Sequence, residues 1–86
     1  MKEYKKGNLV LSIAGHDKGE YYIINETDKE YVYLIDGKYK TISNPKKKKI
    51  KHISYIADKG NELSKNPDDA EYRRIIKNYK KSVLDY

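Results

Sequence analysis

The chain contains no cysteine, no phenylalanine and no tryptophan. Without cysteine it cannot form disulfides, thiolate nucleophiles or the common cysteine-containing zinc sites, which fits a reducing compartment. Tyrosine must supply all the aromatic volume, and the chain has ten of them. The apolar run at residues 9–14 is short and interrupted by Ser12, so it predicts neither a signal peptide nor a membrane span. These absences favour a cytoplasmic protein.

Acidic residues are missing from one stretch of the chain. Between residues 38 and 51 there are seven lysines and no aspartate or glutamate, so this segment alone carries +7 in a chain whose formal net charge is +6. Such clustering favours a polyanionic partner. Of the 19 basic residues only Arg73 and Arg74 are arginine. Because lysine acts as a point charge, the pattern predicts recognition of shape and phosphate rather than of base sequence.

Short alternating segments dominate the first sixty residues. Leu9, Leu11 and Ile13 recur at every second position, the pattern of a half-buried strand. Glycines bracket a five-residue turn at 15–19, and Asp36-Gly37 is a strong hairpin signal. The predicted strands are residues 9–13, 20–26, 31–35 and 38–42, with a short last strand between 50 and 55. Five short strands at this spacing predict a small, bent antiparallel barrel.

The pattern changes to a helical one after Gly60. Asn66 is the predicted helix cap and Pro67 the first helical residue, with two acids facing the positive end of the helix dipole. Apolar residues then recur at helical spacing as far as residue 84. We therefore divide the chain into a barrel (1–58), a linker (59–66) and a C-terminal helix (67–86). The apolar stripe of this helix is expected to pack on or beside the barrel, and the alternative is a partner-binding surface.

Sequence motifs that carry catalysis are missing as well. The chain has no Walker loop, no G-x-S-x-G elbow and no histidine or carboxylate spacing typical of a metal site. His16 and Asp17 are neighbours in sequence, and adjacent residues in a strand or turn point apart. The sequence therefore predicts a non-enzymatic protein that uses no cofactor and no metal.

The segment from residue 7 to 38 resembles the KOW motif of ribosomal large-subunit proteins and of the NusG family of transcription factors. The first two strands and the turn between them match it, and the motif's central glycine corresponds to Gly19, with Asp17 and Lys18 as polar neighbours. The run NPKKKKIKHI at residues 44–53 extends the resemblance to small bacterial KOW-domain RNA-binding proteins. The two segments cover about residues 7–53, so the helix lies outside the resemblance.

This resemblance implies an SH3-like five-stranded barrel that binds folded RNA, often ribosomal RNA. The glycine-bracketed loop would approach the RNA backbone, while lysines would contact phosphates with an affinity that falls as salt rises. Tyr39 is the best candidate for stacking on an unpaired base, ahead of Tyr4 and Tyr55. The predicted RNA-binding residues are Gly15, His16, Lys18, Gly19, Lys38, Tyr39, Lys40, Lys46, Lys47, Lys48, Lys49, Lys51 and His52. RNA is the expected partner, ribosomal or transcription proteins are further candidates, and the free protein is expected to be monomeric.

Each of these features also has a simpler explanation. A tight hairpin by itself requires residues such as Gly15 and Gly19, and a lysine run can be a solvated loop with no partner. His52 is equally a strand residue at the barrel rim, and most tyrosines are expected in the core or on the sheet surface. Two other functions stay open: a protein–protein adaptor for a transcription or translation factor and, less favoured, a DNA-binding module.

Overall fold

The computed structural model describes residues 3–84, which form one sheet and one long helix. The strands are β1 (Asn8–Ser12), β2 (Tyr21–Thr27), β3 (Tyr31–Ile35), β4 (Lys46–Lys49) and β5 (Ile53–Asp58), and the helix α1 is Asp69–Leu84. Short 3₁₀ turns at Ile50–His52 and Gly60–Glu62 precede and follow β5. A mostly β domain with five strands and a C-terminal helix is therefore confirmed.

All five strands are antiparallel and lie in the order β4-β3-β2-β1-β5. The first four strands follow one another across the sheet, and β5 returns to pair with β1 on the far side. The sheet is open, since β4 and β5 form its two edges and no strand pairing joins them within residues 3–84. The sequence therefore predicted the strand number and the antiparallel arrangement, and the closure of the sheet stays a prediction.

Both faces of the central strands are buried. Consecutive residues such as Leu9 and Val10 are each 0% exposed, although neighbours on a strand point to opposite faces. The helix face packs against α1, with a buried cluster of Leu9, Ile23, Ile35, Tyr72, Ile75 and Ile76. The opposite face holds a second cluster of Val10, Tyr22, Ile24, Val32, Leu34 and Ile53. The half-buried pattern predicted for β1 is therefore wrong. Leu9 packs against α1 on the expected buried face, but Val10, expected to meet solvent, is buried in the second cluster, and Ile13, expected to be buried, is 45% exposed.

The amphipathic stripe of α1 packs on the sheet along most of the helix. Tyr72, Ile75 and Ile76 are buried, and the Tyr72 hydroxyl donates a hydrogen bond to Asn25 Oδ1 on β2 at 3.1 Å. Val83, one of the last described helical residues, is 37% exposed. Of the two expectations for this stripe, packing on the sheet is the one that the structure supports.

The fourth strand lies at Lys46–Lys49, not at residues 38–42 as predicted. The reason is Asp36, whose Oδ1 accepts hydrogen bonds from the backbone N–H groups of Lys38, Tyr39 and Lys40 at 2.8–2.9 Å. These bonds compete with a strand ladder and hold the chain in a compact loop around Gly37, whose φ is +79°. The sequence signal for a turn at Asp36-Gly37 was correct, and the hairpin strand expected after it was not.

Helix α1 begins at Asp69, two residues after the predicted start at Pro67. Asp68 rather than Asn66 caps it, because Asp68 Oδ1 accepts a hydrogen bond from the Glu71 N–H at 2.9 Å. A side-chain oxygen three residues before a free N–H is the normal geometry of a helix N-cap. Asp69 then accepts a hydrogen bond from the Ile42 N–H at 2.8 Å, which ties the helix start to the chain before β4.

Replacing Asp68 with alanine is expected to lower the free energy of unfolding by about 1 kcal/mol, because the first turn of α1 loses its cap. The matched substitution Asn66→Ala, at the position predicted from sequence, is expected to change it by less than about 0.5 kcal/mol. Urea unfolding of both variants measures the difference. Equal losses would show that the hydrogen bond of Asp68 to Glu71 does not act as the cap.

Within the described part of the chain, no helix has the length and apolar character needed to cross a membrane.

Candidate nucleic-acid interface

Strand β4 separates the lysine run into two sets that face opposite ways. In its register with β3, Lys47 lies opposite Tyr33 and Lys49 opposite Tyr31, while Lys48 lies opposite Val32. Because alternate strand residues point to opposite faces, Lys47 and Lys49 share a face with the two tyrosines. Both of these lysines are exposed, whereas Lys48 is 9% exposed. Four consecutive lysines therefore do not form one continuous cationic patch.

The exposed set forms a surface of alternating aromatic and basic side chains, which we call the β3–β4 platform: Tyr31, Tyr33, Lys47 and Lys49. The Lys47 ammonium lies 4.4 Å from the centre of the Tyr31 ring, a cation–π contact. Tyr31 and Tyr33 are half-buried, so each presents part of its ring to solvent. Lysines beside half-exposed aromatic rings can hold phosphates while the rings contact bases or ribose.

Lys48 points away from the platform and into a buried polar network. Its ammonium lies 2.7 Å from Asp17 Oδ1 and donates a hydrogen bond to the Ala14 carbonyl at 2.9 Å. Asp17 also accepts hydrogen bonds from the hydroxyls of Ser12 at 2.9 Å and Tyr22 at 3.0 Å. Lys48 was predicted to contact RNA; in the structure its charge is neutralised inside the protein instead. The reason is the pleat of β4, which turns Lys48 toward the face opposite α1.

This network keeps the Asp17 carboxyl group ionised. Burial raises the pKa of Asp17, but the hydrogen bonds from Lys48, Ser12 and Tyr22 together outweigh it and lower that pKa to about 2. Burial, and secondly the hydrogen bond to Asp17, raise the pKa of Tyr22. At neutral pH the carboxylate is therefore ionised and the phenol protonated, which is the pairing that the hydrogen bonds require.

The network fixes the glycine-bracketed loop between β1 and β2. Gly15 and Gly19 have φ values of +85° and +96°, a left-handed backbone that glycine adopts without steric cost. The N–H groups of Lys18 and Gly19 donate to Gly15 and Ser12 carbonyls within the loop, so these two amides are occupied. The side chains of His16 and Lys18 are exposed. The loop therefore presents its side chains, more than these backbone amides, to a ligand.

The other predicted contact residues lie in two further places. Tyr39 is 73% exposed at the tip of the 36–40 loop, with the Lys38 ammonium 5.1 Å from its ring centre and Lys40 half-buried. Lys51 is exposed on the 3₁₀ turn after β4, while His52 is half-buried and its carbonyl accepts a hydrogen bond from the Ile13 N–H at 2.9 Å. Lys46, at the start of β4, is half-buried.

Several residues beside these positions were not selected from the sequence. Tyr31 and Tyr33 alternate with the buried Val32 and Leu34, so the period-two pattern of β3 contained a signal for the platform. Helix α1 brings basic side chains beside Lys38 and Tyr39, where residues of the 36–40 loop and of the helix line a groove of about 360 Å³. The basic residues that α1 adds to this groove are Arg73, Lys77 and Lys80. Their proximity depends on helix packing and has no local sequence signal.

No group of three or more histidine, cysteine, aspartate or glutamate side chains in the described residues could hold a metal ion. No protein-family model matches the chain, and no curated protein matches it. The function must therefore be argued from the residues and their geometry.

Proposed function

We propose that this protein is a KOW-type, SH3-like domain that binds structured RNA, with ribosomal RNA as the first candidate and without catalysis. The β3–β4 platform, Lys51 and the side chains of the 15–19 loop form the contact surface. The observation that carries the proposal is the pairing of exposed Lys47 and Lys49 with Tyr31 and Tyr33 on one edge of the sheet. The resemblance to the KOW motif of ribosomal proteins adds a ribosome-associated, cytoplasmic role to this proposal.

Four features support a curled, barrel-like arrangement of the sheet. The last strand pairs with the first, and register shifts at Leu9/Val10 and at Ile24/Glu26 mark bulges, which bend and twist strands. Lys48 on one edge strand reaches Asp17 in the β1–β2 loop. Ile53 of β5, the other edge strand, belongs to the same buried cluster as Val32 and Leu34 of β3. The ion pair and the shared cluster each bring an edge strand near residues of strands or loops with which it does not pair.

Charge and exposure together support RNA as the partner. No acid occurs between residues 38 and 51, so phosphates approaching β4 meet cations without nearby carboxylates from this segment. Lysine side chains on an edge strand can bind the phosphate backbone of RNA without recognising bases. Half-exposed tyrosines add stacking contacts that do not depend on the RNA sequence. A structured RNA presents both phosphates and unpaired bases at fixed positions, which matches such a surface.

The double variant Lys47→Ala/Lys49→Ala is expected to weaken binding to ribosomal RNA and to reduce the slope of log K against log salt by about two, since two phosphate contacts are lost. The fold is expected to stay intact because both side chains are exposed. Fluorescence anisotropy with a labelled ribosomal RNA fragment, repeated over a salt series, measures both effects.

The matched control is Lys6→Ala/Lys65→Ala, which removes the same charge from two exposed lysines outside the platform. This control is expected to leave the salt slope within about half a unit of the parent protein, because it removes no phosphate contact. Identical behaviour of the two double variants would contradict the proposed interface. Ribosome sedimentation that survives nuclease treatment would instead support a protein–protein adaptor.

A further inference from the structure

The groove between the 36–40 loop and α1 is separate from the β3–β4 platform. Four cations line it, Lys38, Arg73, Lys77 and Lys80, together with the rings of Tyr21 and Tyr39. Two acids, Glu20 and Asp36, also line it. Asp36 uses one carboxylate oxygen for three backbone N–H groups, so part of its charge is already engaged. The groove is therefore basic on balance, and its volume of about 360 Å³ is that of a small-ligand pocket.

The backbone under Tyr39 is held by several contacts even though its ring is in solvent. Asp36 accepts the Tyr39 N–H at 2.9 Å as one of its three hydrogen bonds. The Arg73 guanidinium donates to the Gly37 carbonyl at 2.7 Å and attaches the loop to α1. Because the loop is positioned before any ligand arrives, a ligand that stacks on Tyr39 loses little free energy in ordering it.

Two of the four cations, Lys38 and Lys80, lie over aromatic rings of the groove. The Lys38 ammonium lies 5.1 Å from the centre of the Tyr39 ring, and the Lys80 ammonium lies 5.7 Å from that of Tyr21. An aromatic ring beside an ammonium group fits a ligand that has a flat apolar part next to negative charge. A nucleotide has this composition, whereas an acidic peptide supplies the charge without the flat ring.

We propose that this groove binds an unpaired nucleotide of the RNA, with the base stacked on Tyr39 and the adjoining phosphates contacted by Lys38, Lys77 and Lys80. The proposal rests on the proposed function in taking RNA as the partner, and it adds helix α1 to the binding surface. Arg73 is a positioning residue, because it acts through the Gly37 carbonyl and holds the loop against α1.

The test compares two RNA probes with the full-length protein: a fully paired hairpin and the same hairpin with one bulged uridine in its stem. Stacking of the uridine on Tyr39 is expected to make the bulged probe bind about ten-fold more tightly. Tyr39→Ala is expected to abolish this preference and Tyr39→Phe to retain it, because phenylalanine keeps the stacking face. Thermal unfolding of both variants should match the parent, since the side chain is 73% exposed.

The variant Lys47→Ala/Lys49→Ala separates this proposal from the proposed function. It is expected to weaken both probes equally and to keep the preference for the bulge, because the groove is intact. Equal affinity of the parent protein for the two probes, or a preference that survives Tyr39→Ala, would overturn the groove alone. Failure to bind either probe would overturn both proposals, and competition by oligoglutamate as effective as by oligouridylate would favour an acidic peptide instead.

Discussion

Replacing Lys48 with alanine is expected to destabilise the fold by about 3–5 kcal/mol, the usual cost of removing one partner of a buried ion pair. Lys48 and Asp17 have side chains only 9% and 15% exposed, and their charged atoms are 2.7 Å apart. Without the ammonium, the Asp17 carboxylate would keep only its two hydroxyl donors, and the Ala14 carbonyl would lose the Lys48 donor. Urea unfolding followed by circular dichroism measures the loss.

The neighbouring substitution Lys47→Ala is the matched control. It removes the same charge one residue away, and its effect on the free energy of unfolding is expected to stay within about 0.5 kcal/mol because Lys47 is exposed. If the two variants were equally stable, the ion pair would contribute nothing to the fold. The comparison also matters for function, since a loss of RNA binding by Lys48→Ala would reflect lost structure and not a lost phosphate contact.

The same pair predicts an acid dependence of stability. The folded state lowers the pKa of Asp17 from 3.8 to about 2. A group whose pKa is lowered on folding stabilises the protein fully above its unfolded pKa, and this stabilisation is lost as the pH falls through the folded value. Asp17 is therefore expected to contribute about 2 kcal/mol above pH 4 that disappears between about pH 4 and pH 2. In Lys48→Ala this part of the pH dependence is expected to flatten, and an unchanged profile would assign the acid dependence to other carboxylates.

The second large effect is expected at Gly37, where alanine should cost about 2–5 kcal/mol from overpacking and from a left-handed backbone. A Cβ at this position would lie 2.1 Å from the Asp69 carbonyl oxygen and 2.8 Å from the Arg73 nitrogen, both backbone atoms of α1. Its φ of +79° is also unfavourable for any residue with a side chain. To accept the methyl group, the loop and the helix would have to separate.

Gly19→Ala is the control that isolates the backbone contribution. Gly19 has a comparable φ of +96°, but nothing lies within 4 Å of an added Cβ. Its substitution is expected to cost only about 1–2 kcal/mol, from conformation alone. Thermal or urea unfolding of the two variants gives the difference, which reports how closely the 36–40 loop packs on α1. Similar losses for both variants would mean that the loop can move away from the helix at little cost.

The local pattern of the sequence was sufficient for several elements. Strand β3 matches its predicted bounds, β1 and β2 are shifted by one residue, and α1 starts two residues late. These elements have strong periodicity or clear turn residues, and such signals act over a few positions. A strand was predicted at 38–42 because the residues of this segment alternate as they do in a strand. The prediction was wrong because the Asp36 side chain accepts hydrogen bonds from three of the backbone amides, which the alternation does not show.

The candidate site followed the same division. A count of charges identified residues 38–51 as basic, but such a count treats all the lysines in this segment as equivalent. The register of β4 makes them different, because Lys47 and Lys49 face the tyrosines of β3 while Lys48 faces the buried polar network. Strand direction and pairing decide this, and a run of four identical residues carries no pattern from which to read them.

The residue types that the chain lacks determined part of its chemistry. Without cysteine there are no disulfides, and without phenylalanine or tryptophan the aromatic part of the core had to be tyrosine. Local periodicity determined strands β1, β2 and β3 and the helix, but not strand β4. Tertiary structure alone decided that Lys48 is buried beside Asp17 and that Arg73 meets Gly37, since each of these contacts joins residues more than 30 positions apart. Such contacts depend on how α1 and β4 pack against the first strands, and a local sequence pattern extends over only a few residues.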